Sequence, residues 1–330
     1  MEKLSPRTQI DAIPMISAHR PLVSLLLAAC VGCSGVQSAS VTPPLPPPQI
    51  HQFTASEAGL SVNCYVVEAE HGLVAIDSAL TVSDSRALRA KLDALGKPLL
   101  AILLTHGHPD HYNGVVYLLQ GRTEPVPVVA TPAVSRVIRD MDAAKQQQWQ
   151  PVFGAEWPPE RAFPDHELPD GAVFSIAGLE FVVHDLGLGE SHADSYWELR
   201  GAEPAAFIGD EVLNGEHAYT NDGHTAAWLA NLERLARELQ GIDRLYPGHG
   251  PAGNAGLLDW EKGYLQRYRA EVDALRAGAD RLSDADKQTL EIRLTTAYPD
   301  AGLKFMIALG ADSVAAELAG SQHDPTGGQQ

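Results

Sequence analysis

Apolar positions along residues 51–320 follow two periods: a spacing of two or a continuous run, which predicts strands, and a spacing of three to four, which predicts helices. The predicted strands are residues 61–69, 72–77, 99–104, 126–130, 172–176, 179–185, 195–199, 205–208 and 244–246. The predicted helices are residues 84–95, 111–119, 132–148, 225–239, 257–275, 285–296 and 311–319. Because strands and helices alternate in two successive halves, the pattern predicts an α/β fold of sheet layers covered by helices.

Residues 1–29 have the pattern of a signal peptide. An apolar run at residues 21–30 follows His19-Arg20 and is too short to span a bilayer. Its end, Leu27-Ala-Ala-Cys30, resembles the bacterial lipobox, in which the cysteine is lipidated and becomes the new N-terminus. The alternatives are an ordinary signal peptide cleaved just before that cysteine, or a weak amphipathic leader. A start at Met15 would leave a compact leader, which makes it a candidate for the true start.

Composition divides the rest of the chain into four segments. Residues 30–50 are rich in Pro and Ser, which predicts an extended linker that cannot bury enough apolar surface to fold. Residues 51–277 carry the α/β pattern and form the predicted main domain. Residues 278–323 are predicted to be a C-terminal helical appendage, and residues 324–330 a disordered tail.

Composition and charge narrow the class of protein. The chain has 330 residues, 45% of them hydrophobic and 20% charged, which is typical of a globular protein with a full core. Its formal net charge of −18 argues against non-specific binding to nucleic acid or to anionic lipid, since both need Lys and Arg. Three cysteines give no disulfide framework, and Cys64 lies in a strand pattern as a predicted core residue.

The densest chemical motif follows the apolar run at residues 99–104. The chain continues Thr105-His-Gly-His-Pro-Asp-His111, which places four metal-competent side chains within six residues. An extended His-x-His pair can direct both imidazoles to one side, and Pro109 helps to turn the chain toward the next two. A His-rich surface turn is the alternative, but it does not explain so many ligands at the end of one buried strand. Imidazole and carboxylate together are typical ligands of a divalent transition metal.

This motif resembles the signature of the metallo-β-lactamase-fold hydrolases, and the resemblance extends over about residues 52–260. Four further residues of that family's pattern follow in the expected order: Asp77 at the end of a strand, His192 in Gly189-Glu-Ser-His192, Asp210 after a later strand, and His249 in Tyr246-Pro-Gly-His249. The ordered set is more specific than any one of these residues alone. Two departures are Asp77-Ser-Ala79 for the commoner Asp-Thr-Gly, and Ser191 for the usual Gly before the third His.

The resemblance implies a four-layer αββα sandwich with metals at one edge of the sheets, and it makes residues 51–277 the catalytic domain. It also implies two Zn²⁺ per chain, although iron or manganese would use the same residues. The first metal would be held by His106, His108 and His192, the second by Asp110, His111 and His249, and both by Asp210. Asp77 is expected to support the ligand loop through hydrogen bonds.

The reaction implied by the resemblance is hydrolysis by a hydroxide held between the two metals, with Asp110 and Asp210 as catalytic residues that orient it or relay its proton. Because the bridging Asp is generally absent from true β-lactamases of the family, the expected substrate is a small ester, lactone or thioester. The alternatives are a β-lactamase and a non-catalytic, lipid-anchored metal-binding protein. The leader predicts export to the cell envelope, on its periplasmic or surface face, with the membrane contacted through the lipid anchor; without the anchor, a periplasmic or secreted protein is expected.

Weaker candidates surround this set. Trp, Phe and Pro residues crowd residues 149–170, which predicts an irregular loop that forms one wall of a substrate pocket or is pinned to the core. His217, His224, Tyr196 and Tyr219 are candidates for contact with substrate, whereas His184 lies in a strand pattern typical of a core histidine.

Overall fold

The computed structural model describes residues 47–320. In this part of the chain the strands are β1 (Gln49–Thr54), β2 (Asn63–Glu68), β3 (Leu73–Ile76), β4 (Leu99–Leu103), β5 (Val128–Ala130), β6 (His166–Glu167), β7 (Val173–Ile176), β8 (Leu179–Gly187), β9 (Asp194–Leu199), β10 (Ala205–Leu213) and β11 (Arg244–His249). The α-helices are α1 (Val82–Ala94), α2 (Pro109–Tyr112), α3 (Val115–Leu119), α4 (Pro132–Phe153), α5 (Thr225–Glu238), α6 (Gly256–Arg276), α7 (Asp284–Ala297) and α8 (Met306–Leu318). The predicted leader, lipobox, most of the linker and the C-terminal tail lie outside the described residues.

The strands form two sheets. The first has the order β1-β2-β3-β4-β5-β6, antiparallel up to β3 and parallel from β3 onward. The second has the order β11-β10-β9-β8-β7 and is antiparallel except for the β10–β11 pair. Both sheets place the end of a strand beside the loop that carries His106 to His111.

Alternation of side chains along the strands builds three layers of core. In β2, Tyr65 and Val67 face the second sheet and pack with Trp197 and Phe207, whereas Val66 faces the helices α1 and α4. The outer face of the second sheet is covered by α5 and α6 through a separate cluster of buried side chains. Helices therefore flank both sheets, which confirms the predicted αββα sandwich.

Helices α7 and α8 share the core that α5 and α6 form on the second sheet. Leu290 and Leu294 of α7 and Ile307 and Val314 of α8 are fully buried in it. The segment after residue 277 is thus packed against the sandwich over much of its length. None of the helices within residues 47–320 is long and apolar enough to cross a membrane.

Several predicted boundaries were wrong. Helix α4 continues through Phe153 rather than ending near residue 148, because Pro151 stands in its last turn and removes a single backbone hydrogen bond at an exposed surface. Strands β10 and β11 run on to Leu213 and His249, since the two strands pair beyond their apolar residues. Cys64 is fully buried, as its strand pattern predicted, and burial raises the pKa of its thiol.

Candidate metal centre

Asp77, the residue after β3, holds the loop after β4 in shape. Its carboxylate accepts hydrogen bonds from the Thr105 amide (2.8 Å), the Thr105 hydroxyl (2.7 Å) and Nδ1 of His111 (2.8 Å). Asp77 has a positive φ of 59°, a conformation that aspartate tolerates better than most residues. The local fold of Asp77 therefore fixes the position of the histidine-bearing loop, as expected from the sequence.

Six of the seven predicted ligands lie together at one edge of the sandwich. In the described part of the chain, three groups of side chains have ligand atoms that all lie within 4.8 Å of one another. These groups are His106, His111 and Asp210; His106, His108 and Glu190; and Asp110, His111 and His249.

Asp210 occupies the centre of this cluster. Its Oδ1 lies 3.2 Å from Nε2 of His111, and its Oδ2 lies 3.3 Å from Nε2 of His249. Gly248 permits this approach, since a Cβ atom at that position would collide with the Asp210 carboxylate. The carboxylate is thus placed where it can contact both groups of imidazoles.

The four clustered histidines each direct one ring nitrogen inward, because the other nitrogen has an acceptor behind it. An imidazole that donates from its outer nitrogen keeps a lone pair on the inner one, as a metal ligand requires. The outer bonds run from His106 Nδ1 to Thr105 Oγ1 (3.0 Å), His108 Nε2 to Asp222 Oδ2 (3.1 Å), His111 Nδ1 to Asp77 Oδ2 (2.8 Å) and His249 Nδ1 to the Leu60 carbonyl (3.0 Å).

Several inward-facing atoms are buried and form no hydrogen bond to any residue that the structure describes: with the outer ring nitrogens protonated, the inner nitrogens carry lone pairs and cannot donate to the carboxylates near them. Buried polar atoms without a partner are costly, so a cluster of them indicates a ligand. The atoms are Nε2 of His106, Nε2 of His111, both carboxylate oxygens of Glu190 and Oδ1 of Asp210. Their chemistry, imidazole nitrogen with carboxylate oxygen, fits a divalent transition metal.

The structure does not bring His192 into this cluster, and it places Glu190 there instead. The Glu190 side chain is 1% exposed, and Oε2 lies 2.9 Å from Nδ1 of His108 and 3.6 Å from Nε2 of His106. The His192 side chain is 22% exposed, and its Nδ1 lies 2.7 Å from Nε2 of His224. Among the described residues, Glu190 rather than His192 therefore places a candidate ligand atom beside His106 and His108.

Glu190 and His192 lie in the turn between β8 and β9, which Ser191 and Asp194 close. Both oxygens of the Asp194 carboxylate bind Ser191, one accepting from its amide (2.8 Å) and the other from its hydroxyl (2.9 Å). This closes a tight turn in which the residues on either side of Ser191 face different ways. Glu190 was not among the residues predicted from the sequence; the departure at Ser191 was the one sequence feature that pointed to a different geometry in this turn.

The electrostatics of the cluster favour a bound cation. Burial lowers the pKa of His106 well below its usual range, and it raises the pKa of Glu190 to about 8. For His249, burial is outweighed by the Asp210 and Asp110 carboxylates, which raise the pKa to about 10. The carboxylates thus draw positive charge to this edge of the sandwich, and a divalent metal supplies that charge without protonating the ligands.

A cleft opens to solvent beside the cluster. The predicted ligands at its floor are His108, Asp110, Asp210 and His249, together with Glu190. Its remaining lining is largely apolar: Leu60, Leu80, Pro109, Trp149, Phe153, Trp157, Leu213, Leu303 and Met306, with Lys145, His217 and Tyr219 as polar members.

The residues predicted as candidates for contact with substrate differ in whether they line the cleft. His217 and Tyr219 line the cleft, whereas His224 and Tyr196 are not among its lining residues. His184 stacks on Tyr196 with ring centroids 4.4 Å apart and pairs with Glu198, away from the cluster. Sequence reasoning also missed Lys145, a buried ammonium 3.5 Å from the Asp222 carboxylate that supports His108.

Comparison with known proteins establishes the family. Residues 58–249 match the family described as the metallo-beta-lactamase superfamily, and the chain belongs to that superfamily, whose members are metal-dependent hydrolases. A structure of a metallo-beta-lactamase family protein from Thermus thermophilus superimposes with a TM-score of 0.57 and 23% sequence identity, covering 82% of this chain and 92% of the other.

Two further relatives match this chain either over a short segment or at low sequence identity. The chain is 44% identical over 71 residues to the uncharacterized protein YobT of Bacillus subtilis, covering 22% of this chain and 30% of that protein. It is 29% identical over 199 residues to a hydroxyacylglutathione hydrolase of Cupriavidus taiwanensis, covering 55% of this chain and 63% of that enzyme. The chain thus spans less than two thirds of either relative.

Proposed function

We propose that this protein is a dinuclear zinc-dependent hydrolase that cleaves a small ester, lactone or thioester. The observation that carries the proposal is the set of buried imidazole and carboxylate atoms that face one another without hydrogen-bond partners among the described residues. The likeness to a hydroxyacylglutathione hydrolase, an enzyme named for a thioester substrate, supports the thioester as one of the three bonds.

The structure suggests one ligand set for each metal. The first would be held by His106, His108 and Glu190, and the second by Asp110, His111 and His249. Asp210 lies between the two groups and would contact both metals. When bound, zinc would lower the pKa of coordinated water toward about 7 and polarise a substrate carbonyl. Iron or manganese could use the same atoms, so the metal is part of the test.

The residues of the cluster have distinct roles in this proposal. The carboxylates of Asp110 and Asp210 accept hydrogen bonds from the attacking water and orient it, and either can take up its proton. Asp77, Thr105 and Asp222 keep the rings of His111, His106 and His108 in the required tautomer. The apolar cleft excludes bulk water and thereby strengthens these electrostatic interactions.

A hydrolysis panel tests the proposal directly. The mature protein would be assayed with an aryl ester, a lactone, a thioester and a β-lactam, each with and without chelator, while metal content is measured. Turnover that chelator abolishes and zinc restores is the expected result. β-Lactam turnover would instead identify a β-lactamase, and a fully metallated protein that hydrolyses nothing would favour a non-catalytic metal-binding role.

We propose in addition that the protein is exported and anchored in the cell envelope through Cys30. The apolar run before Cys30 and the Pro-rich linker after it support this assignment, since a spacer separates the anchor from the folded domain. The expected result is membrane association of the wild-type chain and release of the Cys30→Ser variant into the soluble fraction. Equal distribution of the two forms would contradict lipidation at Cys30.

A further inference from the structure

Aromatic side chains form a continuous strip along one wall of the cleft. Trp149 and Phe153 stand one turn apart on α4, with ring centroids 6.2 Å apart, and Trp157 follows at 6.1 Å from Phe153. Trp149 and Phe153 are half-buried, so their rings are presented to the cleft rather than enclosed in a core. A strip of this kind offers apolar surface that is covered when a ligand binds.

Two leucines extend this apolar lining at a conformational cost. Leu60 and Leu303 belong to separate loops, have positive φ angles of 65° and 52°, and both line the cleft. The left-handed region brings Cβ close to the carbonyl oxygen, a penalty that glycine at either position would avoid. The chain therefore carries large apolar side chains at two positions where the backbone favours glycine, and both border the same cleft.

Two polar side chains of the lining, Lys145 and His217, already have partners elsewhere in the protein. Lys145 lies 3.5 Å from Asp222 and carries its charge beside that carboxylate. His217 pairs through Nδ1 with the Tyr264 hydroxyl at 3.0 Å, and its Nε2 has no hydrogen-bond partner among the described residues. Away from the predicted metal ligands, the cleft thus offers mainly apolar contact. Such a lining suits a hydrocarbon substituent better than a substituent with charged and amide groups, such as glutathione.

We infer that the cleft selects substrates in which the scissile ester or thioester carries an apolar substituent, bound along Trp149, Phe153 and Leu303. This inference rests on the proposed hydrolase function and specifies its substrate class. The substituent is either the acyl chain or the leaving group. Both are attached to the scissile bond, which would lie beside the predicted metal ligands.

Two substrate series distinguish these sources. One varies the acyl chain of N-acetylcysteamine thioesters from acetyl through butyryl and hexanoyl to octanoyl, and the other varies the alcohol of acetate esters from methyl to octyl. Each methylene that becomes buried contributes about three- to fourfold to kcat/KM. We expect a rise of at least about thirtyfold in one series between its shortest and six-carbon members. A flat profile in both series would overturn the inference.

Substitutions of Trp149, Phe153 and Leu303 test whether these residues cause the dependence of kcat/KM on chain length. Trp149→Ala and Phe153→Ala should reduce kcat/KM for the six-carbon substrate by about tenfold or more, while the shortest substrate changes by less than about twofold. Leu303→Gly should have the same effect and retain thermal stability, because glycine adopts a positive φ without strain. Val152→Ala is the matched control, since Val152 lies beside Phe153 on α4 but is 68% exposed. An unchanged chain-length profile in all three wall variants would contradict the assignment.

A binding measurement separates this inference from the proposed reaction. Octanoate and acetate would be titrated against the zinc-loaded full chain, and binding followed by calorimetry. Saturable binding of octanoate that is weakened in Phe153→Ala, in a protein that hydrolyses no substrate, would support the apolar site and disprove the hydrolase. If octanoate binds no better than acetate, the apolar site itself is disproved, whatever the enzyme turns over.

Discussion

At the scale of single residues, the cluster depends on side chains that never face its centre. Asp77 accepts three hydrogen bonds, two from Thr105 and one from His111, and so links the end of β3 to the ligand loop. Asp222 similarly supports His108. Because a metal site needs rings in one tautomer and one orientation, these carboxylates matter as much as the ligands.

Replacement of Asp77 by asparagine tests this support. The Asn side chain retains one acceptor oxygen and loses the second, so at least one of the three bonds to Thr105 and His111 must fail. Asn tolerates a positive φ, which keeps the backbone in place. We expect zinc affinity to fall by about 10–100-fold, measured by competition with a chromophoric chelator. The control is Asp93→Asn on exposed surface; equal affinity of the two variants would exclude a supporting role for Asp77.

The position of Glu190, rather than His192, beside His106 and His108 gives a second prediction. Glu190→Ala should lose about one equivalent of zinc, because it removes the carboxylate beside His106 and His108. His192→Ala should retain the wild-type metal content, since its ring pairs with His224. Metal content after dialysis, determined by plasma mass spectrometry, decides between them. Loss of zinc in His192→Ala with retention in Glu190→Ala would restore the assignment that the sequence predicted.

At the scale of elements, one helix is capped by another that is distant in sequence. His224 precedes α5 and makes no capping hydrogen bond with its side chain, and the helix start is instead bound by Glu317 of α8. The Glu317 carboxylate accepts from the Thr225 amide (3.1 Å) and the Ala226 amide (2.8 Å), and it pairs with Arg269 of α6 at 2.9 Å. Three helices are thus joined at one carboxylate.

Glu317→Ala should therefore destabilise the fold by more than an ordinary surface change. Loss of a cap costs about 1–2 kcal/mol, and for a domain of this size each kcal/mol lowers Tm by about 2–4 °C. Thermal unfolding of the zinc-loaded protein measures the shift. Glu233→Ala serves as the control, because its exposed pair with Lys262 contributes little. Equal Tm values for the two variants would show that the cap does not stabilise α5.

At the scale of the whole molecule, the C-terminal helices contribute to both core and cleft. Leu290 and Val314 are fully buried with the side chains of α5 and α6. Leu303, in the turn before α8, and Met306, its first residue, line the cleft. A chain ending at residue 277 would expose this core. We expect it to lose its cooperative thermal transition and its bound zinc.

The comparison with the full chain would be made by calorimetry and metal analysis. A chain ending at residue 320 is the matched control, because it retains every described helix. If the shorter chain kept a sharp transition and its zinc, the last two helices would be an appendage on an independent domain, as the sequence predicted.

Local patterns accounted for much of the fold and for most of the cluster. The α/β class followed from apolar periodicity, because alternation along each strand already assigns side chains to faces, and the four-layer αββα arrangement followed from the resemblance to the family. Residues 105–111 could be assigned from sequence because they are contiguous, and the order of Asp210 and His249 followed the family pattern. The end of α4 was predicted too early because a proline usually ends a helix. In the folded protein Pro151 lies in the exposed last turn, where it removes only one backbone hydrogen bond.

The sequence by itself determined the fold class, the ligand-bearing loop and the chemistry of a metal site, since these depend on neighbouring residues and on periods of two and 3.6. Tertiary structure decided which side chain lies beside His106 and His108, since Glu190 is buried there while the His192 ring pairs with His224 across a turn closed by Ser191 and Asp194. It also created the apolar cleft, whose walls come from α4 and from the turn before α8. Residues so distant along the chain become neighbours through packing, which no local pattern encodes.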